Sequence, residues 1–436
     1  MAVSNNPPSG PFSPGQAAST CYAFYADDCL LHFREEDFTA KQQDDHSANI
    51  VLTAMLQVAL IYMGRGQDYL AMHEKFSEDR WRTMLDSYQG LFEQLMADVI
   101  PAAHRIYAPK TNFYEHLATL QLPGERLGLY MTSGSNLALH KDREAWRRSA
   151  QLNSKMHFAA HAPAAGIPVP PTVVVKKADL PSRGAQFFAQ HPEGVVIKVQ
   201  GLAGARNVGH VNDLCAAEVF VEQYDDDLDV LLQACLDANE WQEMTLDLSI
   251  TEDTISVTNI RRILFAQGLW VGNYISDRLQ LTPSQEAVCL AVGRYVQAQG
   301  YHAPQGLNCG IDFFVRGDEI RIIEINARWT GGLFPAELLK RLGLTAEHSV
   351  AFIDVIDAGS INDYLRFLQN HVSAGSQDSN GFRLLPMGFS PFVQTIERRQ
   401  RIYVWQVVVG DFAQFQFSKR HALGEGQLPT ADLIRL

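Results

Sequence analysis

Apolar residues recur at strand or helix spacing along most of the chain, and turn or capping residues separate the runs. Strands are predicted at residues 127–131, 172–175, 195–199, 229–233, 244–250, 310–315, 320–328 and 401–409. Helices are predicted at residues 155–165, 283–299 and 335–342, each after a capping or proline signal. The first strand runs into the small polar turn 132–136, which is typical of a ligand-holding strand end or of a plain turn. The pattern predicts a chain that mixes helices and strands throughout.

The most informative pattern is the pair of β-rich runs on either side of Gly317-Asp318-Glu319. Alternate residues of a strand share a face, so Glu324 and Asn326 point the same way. A three-residue loop places Asp312 opposite Glu324 on that face. A four-residue loop would instead place Asp312 opposite Ile323. In the first register, two carboxylates and an amide lie close together.

Two carboxylates that face each other in a sheet cost roughly 0.2–1 kcal/mol unless something compensates them. A hard cation with oxygen ligands removes that cost, and Mg²⁺ is commonly held by one or two carboxylates and nucleotide phosphates. An ordinary hairpin with one solvated face is the alternative. Arg328 continues the same face, and Gly331-Gly332 lets backbone approach a ligand closely. These residues favour a metal–nucleotide site.

Composition narrows the class of protein. The chain has 436 residues, of which 46% are hydrophobic and 19% charged, and this is ordinary globular usage for two to four domain-sized units. A net charge of −13 without a basic stripe argues against nucleic-acid binding. The apolar run 50–63 is too short for a membrane span and predicts a core helix. Residues 1–18 lack a signal-peptide pattern and predict a disordered lead-in, so we expect a cytoplasmic protein.

The six cysteines show neither C-x-x-C nor paired zinc spacing, which favours buried small apolar residues over disulfide bridges. The glycine loop 201–209 fits neither the P-loop nor the dinucleotide-binding spacing. A loop of this kind can still form a flap over phosphates, or it can be a plain surface loop. Lys198, at the end of an apolar strand, either pairs with an anion or reaches solvent. Lys155 lies in the first turn of a helix, where the helix dipole favours anions instead.

In chain order, the motifs are N-S-K155, V-V-I-K198, the glycine loop, V-L-L-Q233-A-C-L, E243-M-T-L-D-L, G-I-D312-F and E324-I-N326-A-R328. This order resembles the ATP-grasp superfamily of carboxylate–amine ligases over residues 151–344. The E-x-N-x-R element with its upstream aspartate is the most specific part. The whole chain is also similar to the pheganomycin-type peptide ligases.

The resemblance implies a role for each matching residue, with ATP and Mg²⁺ (or Mn²⁺) as cofactors. The implied metal ligands are Asp312, Glu324 and Asn326, and the implied catalytic residues are Arg328 and Lys198. The implied nucleotide-binding residues are Lys155, Lys198, Gly201, Gly204, Arg206, Gln233, Ala234, Cys235, Leu236 and Glu243, with Glu240 as the alternative to Glu243. The substrate candidates, chosen by position along the chain, are Arg262, Gln267, Gly331 and Gly332.

The implied fold is an α/β (α+β) ATP-grasp fold that binds the nucleotide between two α+β subdomains. The expected units are a preATP-grasp domain (19–150), a small lid subdomain (151–235), a C-terminal ATP-grasp subdomain (236–360) and a small β-rich extension (361–436). Three departures stand out: Gln233 replaces a frequent glutamate, the loop has fewer glycines than in many relatives, and Gly310 argues against D-alanine ligase activity.

The implied activity joins the carboxylate of an amino acid or peptide to an amine through an acyl phosphate. The alternatives are an ATP-grasp kinase that phosphorylates a small molecule, and a nucleotide-binding regulator without turnover. Amino acids or peptides are the expected partners, with neither nucleic acid nor membrane, and the resemblance leaves a homodimer open.

Overall fold

The structure is a computed structural model that describes residues 18–32, 35–200, 207–266, 269–345, 347–372 and 381–436. Its first part is a parallel sheet in the order β3-β2-β1-β4. The strands are β1 (Thr20–Ala23), β2 (Tyr69–His73), β3 (Arg105–Ala108) and β4 (Arg126–Leu129). The helices are α1 (Asp27–Leu30), α2 (Ala40–Met63), α3 (Asp79–Leu95), α4 (Phe113–Thr119), α5 (Leu137–His140) and α6 (Arg143–Leu152).

The long helix α2 is a core element of this part. It begins with a capping box in which the Thr39 side chain accepts from the Gln42 backbone N–H and the Gln42 side chain accepts from Thr39. By length and composition α2 could cross a membrane, but 78% of its most apolar window is buried inside the protein. Its apolar residues pack in the largest hydrophobic cluster. The prediction of a core helix over 50–63 is therefore confirmed, although the helix begins ten residues earlier.

A smaller antiparallel sheet follows, in the order β5-β8-β6-β7, with its own apolar core. Ser154 caps α7, where its side chain accepts from the His157 backbone N–H, as the sequence predicts. The elements are α7 (Lys155–His161), β5 (Thr172–Lys176), α8 (Ala185–Gln190), β6 (Val195–Val199), β7 (Val208–Val211), α9 (Leu214–Val221) and β8 (Asp229–Ala234).

The described chain ends in a nine-stranded sheet whose main path is β13-β12-β9-β10-β11-β14-β17-β15, with β16 paired to β17. Its strands are β9 (Gln242–Ile250), β10 (Ile255–Ala266), β11 (Leu269–Ile275), β12 (Leu307–Arg316), β13 (Glu319–Asn326), β14 (Ser349–Asp357), β15 (Phe382–Phe389), β16 (Gln394–Ile396) and β17 (Arg399–Gly410). Its helices are α10 (Pro283–Ala298), α11 (Leu333–Arg341), α12 (Ile361–Val372), α13 (Phe412–Leu423) and α14 (Pro429–Leu433). The predicted C-terminal extension thus adds strands to the same sheet that holds β12 and β13.

The hairpin between β12 and β13 reaches the predicted register by an unexpected route. The turn has two residues, Gly317 and Asp318, because Arg316 pairs with Glu319, so the three-residue loop was wrong. A β-bulge between the two strands then shifts the register by one residue. Asp312 consequently pairs with Glu324, and the predicted juxtaposition of the two carboxylates is confirmed.

The cysteines are only partly buried as a group. Cys21, Cys289 and Cys309 are buried, as the sequence predicts. Cys215 is exposed and Cys235 is half-buried, so burial was the wrong expectation for Cys215. The prediction for Cys29 lies outside the described side chains.

A buried carboxylate ties the start of α1 to the polar turn after β4. Asp27 accepts hydrogen bonds from the hydroxyls of Tyr114 (2.6 Å), Ser135 (2.7 Å) and Ser133 (3.0 Å). The amide of Asn136 adds a fourth donor at 3.3 Å. Burial raises the pKa of Asp27 to about 7, although the hydrogen bonds from the three hydroxyls act to lower it. The turn 132–136 is therefore bound to a side chain of the same chain.

Asp27→Asn is expected to change how stability depends on pH. A carboxyl whose pKa is raised by folding stays protonated in the folded state up to about pH 7, while the unfolded chain releases its proton near pH 4. The free energy of unfolding of the wild type therefore falls as pH rises from about 4 to about 7. Asparagine does not titrate, so the variant should not show this contribution to the fall. In urea unfolding at pH 5 and 7, the variant should gain stability relative to the wild type at pH 7. The exposed Asp79→Asn serves as the control, and an equal difference at both pH values would contradict the expectation.

Candidate functional site

A cavity of about 490 Å³ lies where the three sheets meet, over one face of the nine-stranded sheet. A cleft at the junction of several units, with a few converging polar groups, is the usual form of a small-molecule site. Its charged and amide-bearing lining residues are Asp28, Asn49, Lys155, Lys198, Gln233, Glu243, Arg261, Asn273, Asp312, Glu324, Asn326 and Arg328. Eight of these twelve are predicted site residues, and with Leu236, Gly331 and Gly332 eleven predicted site residues line one cavity.

The residues predicted to bind metal lie side by side on β12 and β13. Asp312 pairs across the strands with Glu324, and the Asn326 Nδ2 donates to Asp312 Oδ2 at 3.0 Å. Burial, and then the charge of Glu324, raise the pKa of Asp312 to about 6. The two carboxylates thus repel each other in a desolvated place, which a bound cation would relieve.

The donor set suits Mg²⁺ held partly by a substrate. Among the described residues, no group of three or more His, Cys, Asp or Glu side chains could hold a metal ion. Two carboxylates and one amide oxygen leave half of the positions of an octahedral ion to phosphates and water, and Mg²⁺ is commonly bound by carboxylates together with nucleotide phosphates. Zinc, which prefers nitrogen and sulfur ligands, fits these side chains poorly.

Two lysines from different elements reach the same carboxylates. Lys155, in the first turn of α7, donates to Glu324 Oε1 at 2.7 Å. Burial would raise the pKa of Glu324, but the charges of Lys155 and Lys198 outweigh it and lower that pKa. Lys198 is 5% exposed on β6, and burial lowers its pKa to about 8 despite the nearby acids. Both lysines are inward cations beside an acidic site, where a phosphate would supply further negative charge.

Arg328 lies at the other side of the acidic group, in a fixed position. Its Nη1 donates to Asn153 Oδ1 at 2.7 Å, and its Nε lies 3.4 Å from Asp28 Oδ1. Burial opposes the charged guanidinium, but Asp28 and Tyr130 outweigh that effect and raise its pKa. Arg328 therefore stays cationic in the cavity, and its contacts join the nine-stranded sheet to α1 and to the segment before α7.

The smaller sheet closes one end of the cavity with the predicted hinge. Gln233 and Leu236 line the cavity, whereas the lining of the described chain includes neither Ala234 nor Cys235. Glu243 also lines it, and burial, followed by the charge of Asp312, raises the pKa of Glu243 to about 7. Glu240 instead forms an exposed ion pair with Arg316 at 2.6 Å. Of the two glutamates considered for a ribose, Glu243 is the one in the cavity.

The predicted substrate residues are divided in their placement. Gly331 and Gly332 line the cavity. Arg262 lies over the ring of Tyr274, 4.9 Å from its centroid, and is not among the described residues that line the cavity. Its neighbour Arg261 takes that place because alternate residues of β10 face the cavity. Gly201, Gly204, Arg206 and Gln267 lie outside the described residues, so their roles stay predictions.

Sequence reasoning missed Asp28 and Arg261. Asp28 follows the acidic residue Asp27 just after β1, at the carboxyl end of a parallel strand, where ligands commonly bind. That signal was available. Arg261 faces the cavity floor from β10, and its place depended on recognising a twelve-residue strand that the sequence pattern did not mark.

No protein-family model matches this sequence, and neither does any curated protein. Solved structures do match. The N5-carboxyaminoimidazole synthetase of Staphylococcus aureus, complexed with ADP, has a TM-score of 0.54 at 10% identity, covering 95% of this chain and 99% of that chain. The N5-carboxyaminoimidazole synthase of Aspergillus clavatus, in complex with ADP and 5-aminoimidazole ribonucleotide, has a TM-score of 0.51 at 11% identity. That match covers 95% of this chain and 99% of the synthase chain.

A third match is the biotin carboxylase domain of the Hydrogenobacter thermophilus 2-oxoglutarate carboxylase, in complex with magnesium ADP, ADP and bicarbonate. It has a TM-score of 0.50 at 11% identity, and the match covers 94% of this chain and 90% of that domain's chain. At such identities the similarity shows the fold. The chain has the ATP-grasp fold, as the motifs predicted. The narrower similarity to pheganomycin-type ligases stays a prediction.

Proposed function

We propose that this protein is an ATP-dependent ligase that joins the carboxylate of an amino acid or peptide to an amine, with Mg²⁺ as cofactor. The observation that carries the proposal is the convergence of Asp312, Glu324 and Asn326 with the buried lysines Lys155 and Lys198 in one cavity. Structures with the same fold were solved with ADP and with magnesium ADP, which supports a nucleotide here. The proposed location is the cytoplasm.

The nucleotide would lie between the smaller sheet and the hairpin. Val196, Leu236, Phe314 and Ile323 give that end of the cavity apolar surfaces suited to a flat base. Gln233 adds an amide within the same wall, although its Nε2 already donates to Thr172 Oγ1 at 3.1 Å. Glu243 would accept from the ribose hydroxyls.

The phosphates would lie against the two lysines. Lys155 and Lys198 would contact phosphate oxygens, and the Lys155–Glu324 pair would open so that Glu324 is free to bind metal. Asp312, Glu324 and Asn326 would hold Mg²⁺. When bound, that ion would neutralise charge that develops on the transferring phosphoryl group. The side chains present thus supply both the cations and the oxygen ligands that phosphoryl transfer needs.

Arg328 and the cavity walls suit the activation of a carboxylate by phosphorylation. A carboxylate resists attack by an amine because it is resonance-stabilised and negative, and phosphorylation gives it a leaving group. Lys198 and Arg328 would stabilise the transferring group, each a contribution of roughly 2–4 kcal/mol for a well-placed donor. The cavity walls would limit access of water to the acyl phosphate.

The test is ADP release by the full chain with Mg²⁺, ATP and pairs of acids and amines, followed by mass spectrometry of the product. Bicarbonate belongs among the acids because one structure of this fold was solved with it. The proposal expects ADP release that requires both an acid and an amine, with an amide as product. A phosphorylated product without an amine would indicate a kinase. ATP binding without ADP in a single turnover would indicate a regulator, and either result would contradict a ligase.

A further inference from the structure

We propose that the part of the cavity over β10, β11 and β14 binds a large apolar side chain of one substrate. The inference rests on the proposed function and names the substrate class. We call this part the apolar compartment, and define it by Leu52, Leu56, Ile263, Phe265, Trp270 and Ile353, all of which line the cavity. These residues come from α2 and from the strands β10, β11 and β14 of the nine-stranded sheet.

One wall of the apolar compartment is a face of α2. Leu52 and Leu56 are four residues apart, so they lie on the same side of the helix. Both are only half-buried, whereas Val51, Ala54 and Val58 on the same helix are buried in the core. Two leucines on a core helix therefore direct apolar surface into the cavity.

The floor is formed by aromatic and aliphatic residues of the sheet. Phe265 on β10 pairs with Trp270 on β11 and is 41% exposed, while Ile263 precedes it on the same face. None of the hydrophobic clusters in the described part of the chain includes Ile263, Phe265 or Trp270. These three side chains face the cavity without a core partner, which is typical of surface that a ligand covers.

The compartment lies away from the metal ligands along the sheet. From β12, which carries Asp312, the order runs through β9, β10 and β11 to β14, which carries Ile353. Neighbouring strands are about 4.8 Å apart, so Ile263 and Phe265 on β10 lie roughly two spacings, or about 10 Å, from β12. Ile353 on β14 lies roughly four spacings, or about 19 Å, from β12. A substrate that reacts near Asp312 would extend its far portion across β9 onto β10, where the compartment begins.

Its lining selects against charged side chains. Its six members carry no charge, and the two neighbouring arginines are engaged elsewhere: Arg261 with Asp247 at 2.6 Å, and Arg262 over Tyr274. A carboxylate or ammonium placed here would lose water without gaining a partner. Burial of an apolar side chain of leucine or phenylalanine size should favour binding by roughly ten- to 100-fold over serine.

The experiment is calorimetric binding of single amino acids to the full chain with Mg²⁺ and a non-hydrolysable ATP analogue. The probes are L-phenylalanine and L-leucine against L-serine and L-glutamate. The apolar probes should bind at least tenfold more tightly than the polar ones. Equal or tighter binding of the polar probes, or no binding of either apolar probe, would overturn the inference.

Variants of the lining residues test whether phenylalanine binds in the apolar compartment. Phe265→Asp alters an exposed side chain, so the fold should be kept, and it should raise the Kd for phenylalanine at least tenfold while the Kd of the ATP analogue stays unchanged. Leu120→Asp, exposed after α4 and outside the cavity lining, is the matched control and should change neither. Ile353→Ala, a milder change, should also weaken phenylalanine binding. Unchanged phenylalanine binding in both compartment variants would overturn the inference.

Different results would contradict the ligase activity and the apolar compartment. Phenylalanine binding that Phe265→Asp weakens, without ADP release for any pair of substrates, would leave the compartment standing and remove the ligase. Amine-dependent ADP release that polar acids and amines support as well as apolar ones do would leave the ligase standing and remove the compartment.

Discussion

Glu324→Gln is expected to lower ADP release at least 100-fold. The substitution keeps the shape of the side chain but removes the charge that lies opposite Asp312 and 2.7 Å from the Lys155 ammonium. On the proposed function it removes one of two charged ligands of the ion that neutralises the transferring phosphoryl group, an effect of about 3 kcal/mol or more. Initial rates of ADP formation at saturating Mg²⁺ and ATP measure it.

Glu319→Gln is the matched control, because Glu319 lies on the same strand but outside the cavity lining, with a half-exposed side chain. The Glu319→Gln variant should form ADP at a rate within about twofold of the wild-type rate. Thermal unfolding of both variants shows whether Glu324→Gln is folded. A folded Glu324→Gln variant with more than a tenth of the wild-type rate would contradict a role for Glu324 as a metal ligand.

The register of the hairpin shows what local pattern can predict. Alternation alone placed Glu324 and Asn326 on one face, because the period of a strand is fixed by its geometry. The loop was one residue shorter than expected, and this error would have moved Asp312 opposite Ile323. A bulge restored the pairing with Glu324. The outcome was correct although the route was wrong, since bulges leave little trace in a single sequence.

The substrate side of the cavity shows where local pattern fails. Arg262 was chosen by its position along the chain, yet the strand β10 directs Arg261 toward the cavity and Arg262 onto Tyr274. The choice between neighbours depends on strand phase, and no turn or capping signal fixed that phase. Asp28 and Leu52 enter the same cavity from the first 60 residues through contacts between distant segments, which alternation cannot reveal.

The C-terminal part was recognised as β-rich, but not where it pairs. Its strand β17 pairs with β14 over nine residue pairs and so continues the sheet of the hairpin. Strand pairing between segments 50 residues apart follows from register and packing, not from local propensity. This connection places Trp405, which pairs with Ile353, in the same cavity lining as Asp312.

Asp247→Ala is expected to lower the free energy of unfolding by about 3–5 kcal/mol. Asp247 is fully buried beneath the cavity and forms an ion pair with Arg261 at 2.6 Å. It also accepts from Thr330 Oγ1 at 2.9 Å and from Asn308 Nδ2 at 3.0 Å. Removing the carboxylate leaves a buried guanidinium without its counter-charge, which is the costly way to break such a pair. Urea unfolding followed by circular dichroism measures the change.

Two further variants separate the buried charge from other causes. Asp253→Ala removes an exposed carboxylate from the turn after β9 and should change stability by less than about 0.5 kcal/mol. Asp247→Ala combined with Arg261→Met removes both charges, so no guanidinium is left unpaired, and it should recover at least half of the loss. If the double variant were as unstable as Asp247→Ala alone, the lost hydrogen bonds to Thr330 and Asn308 would account for the effect instead of the unpaired Arg261.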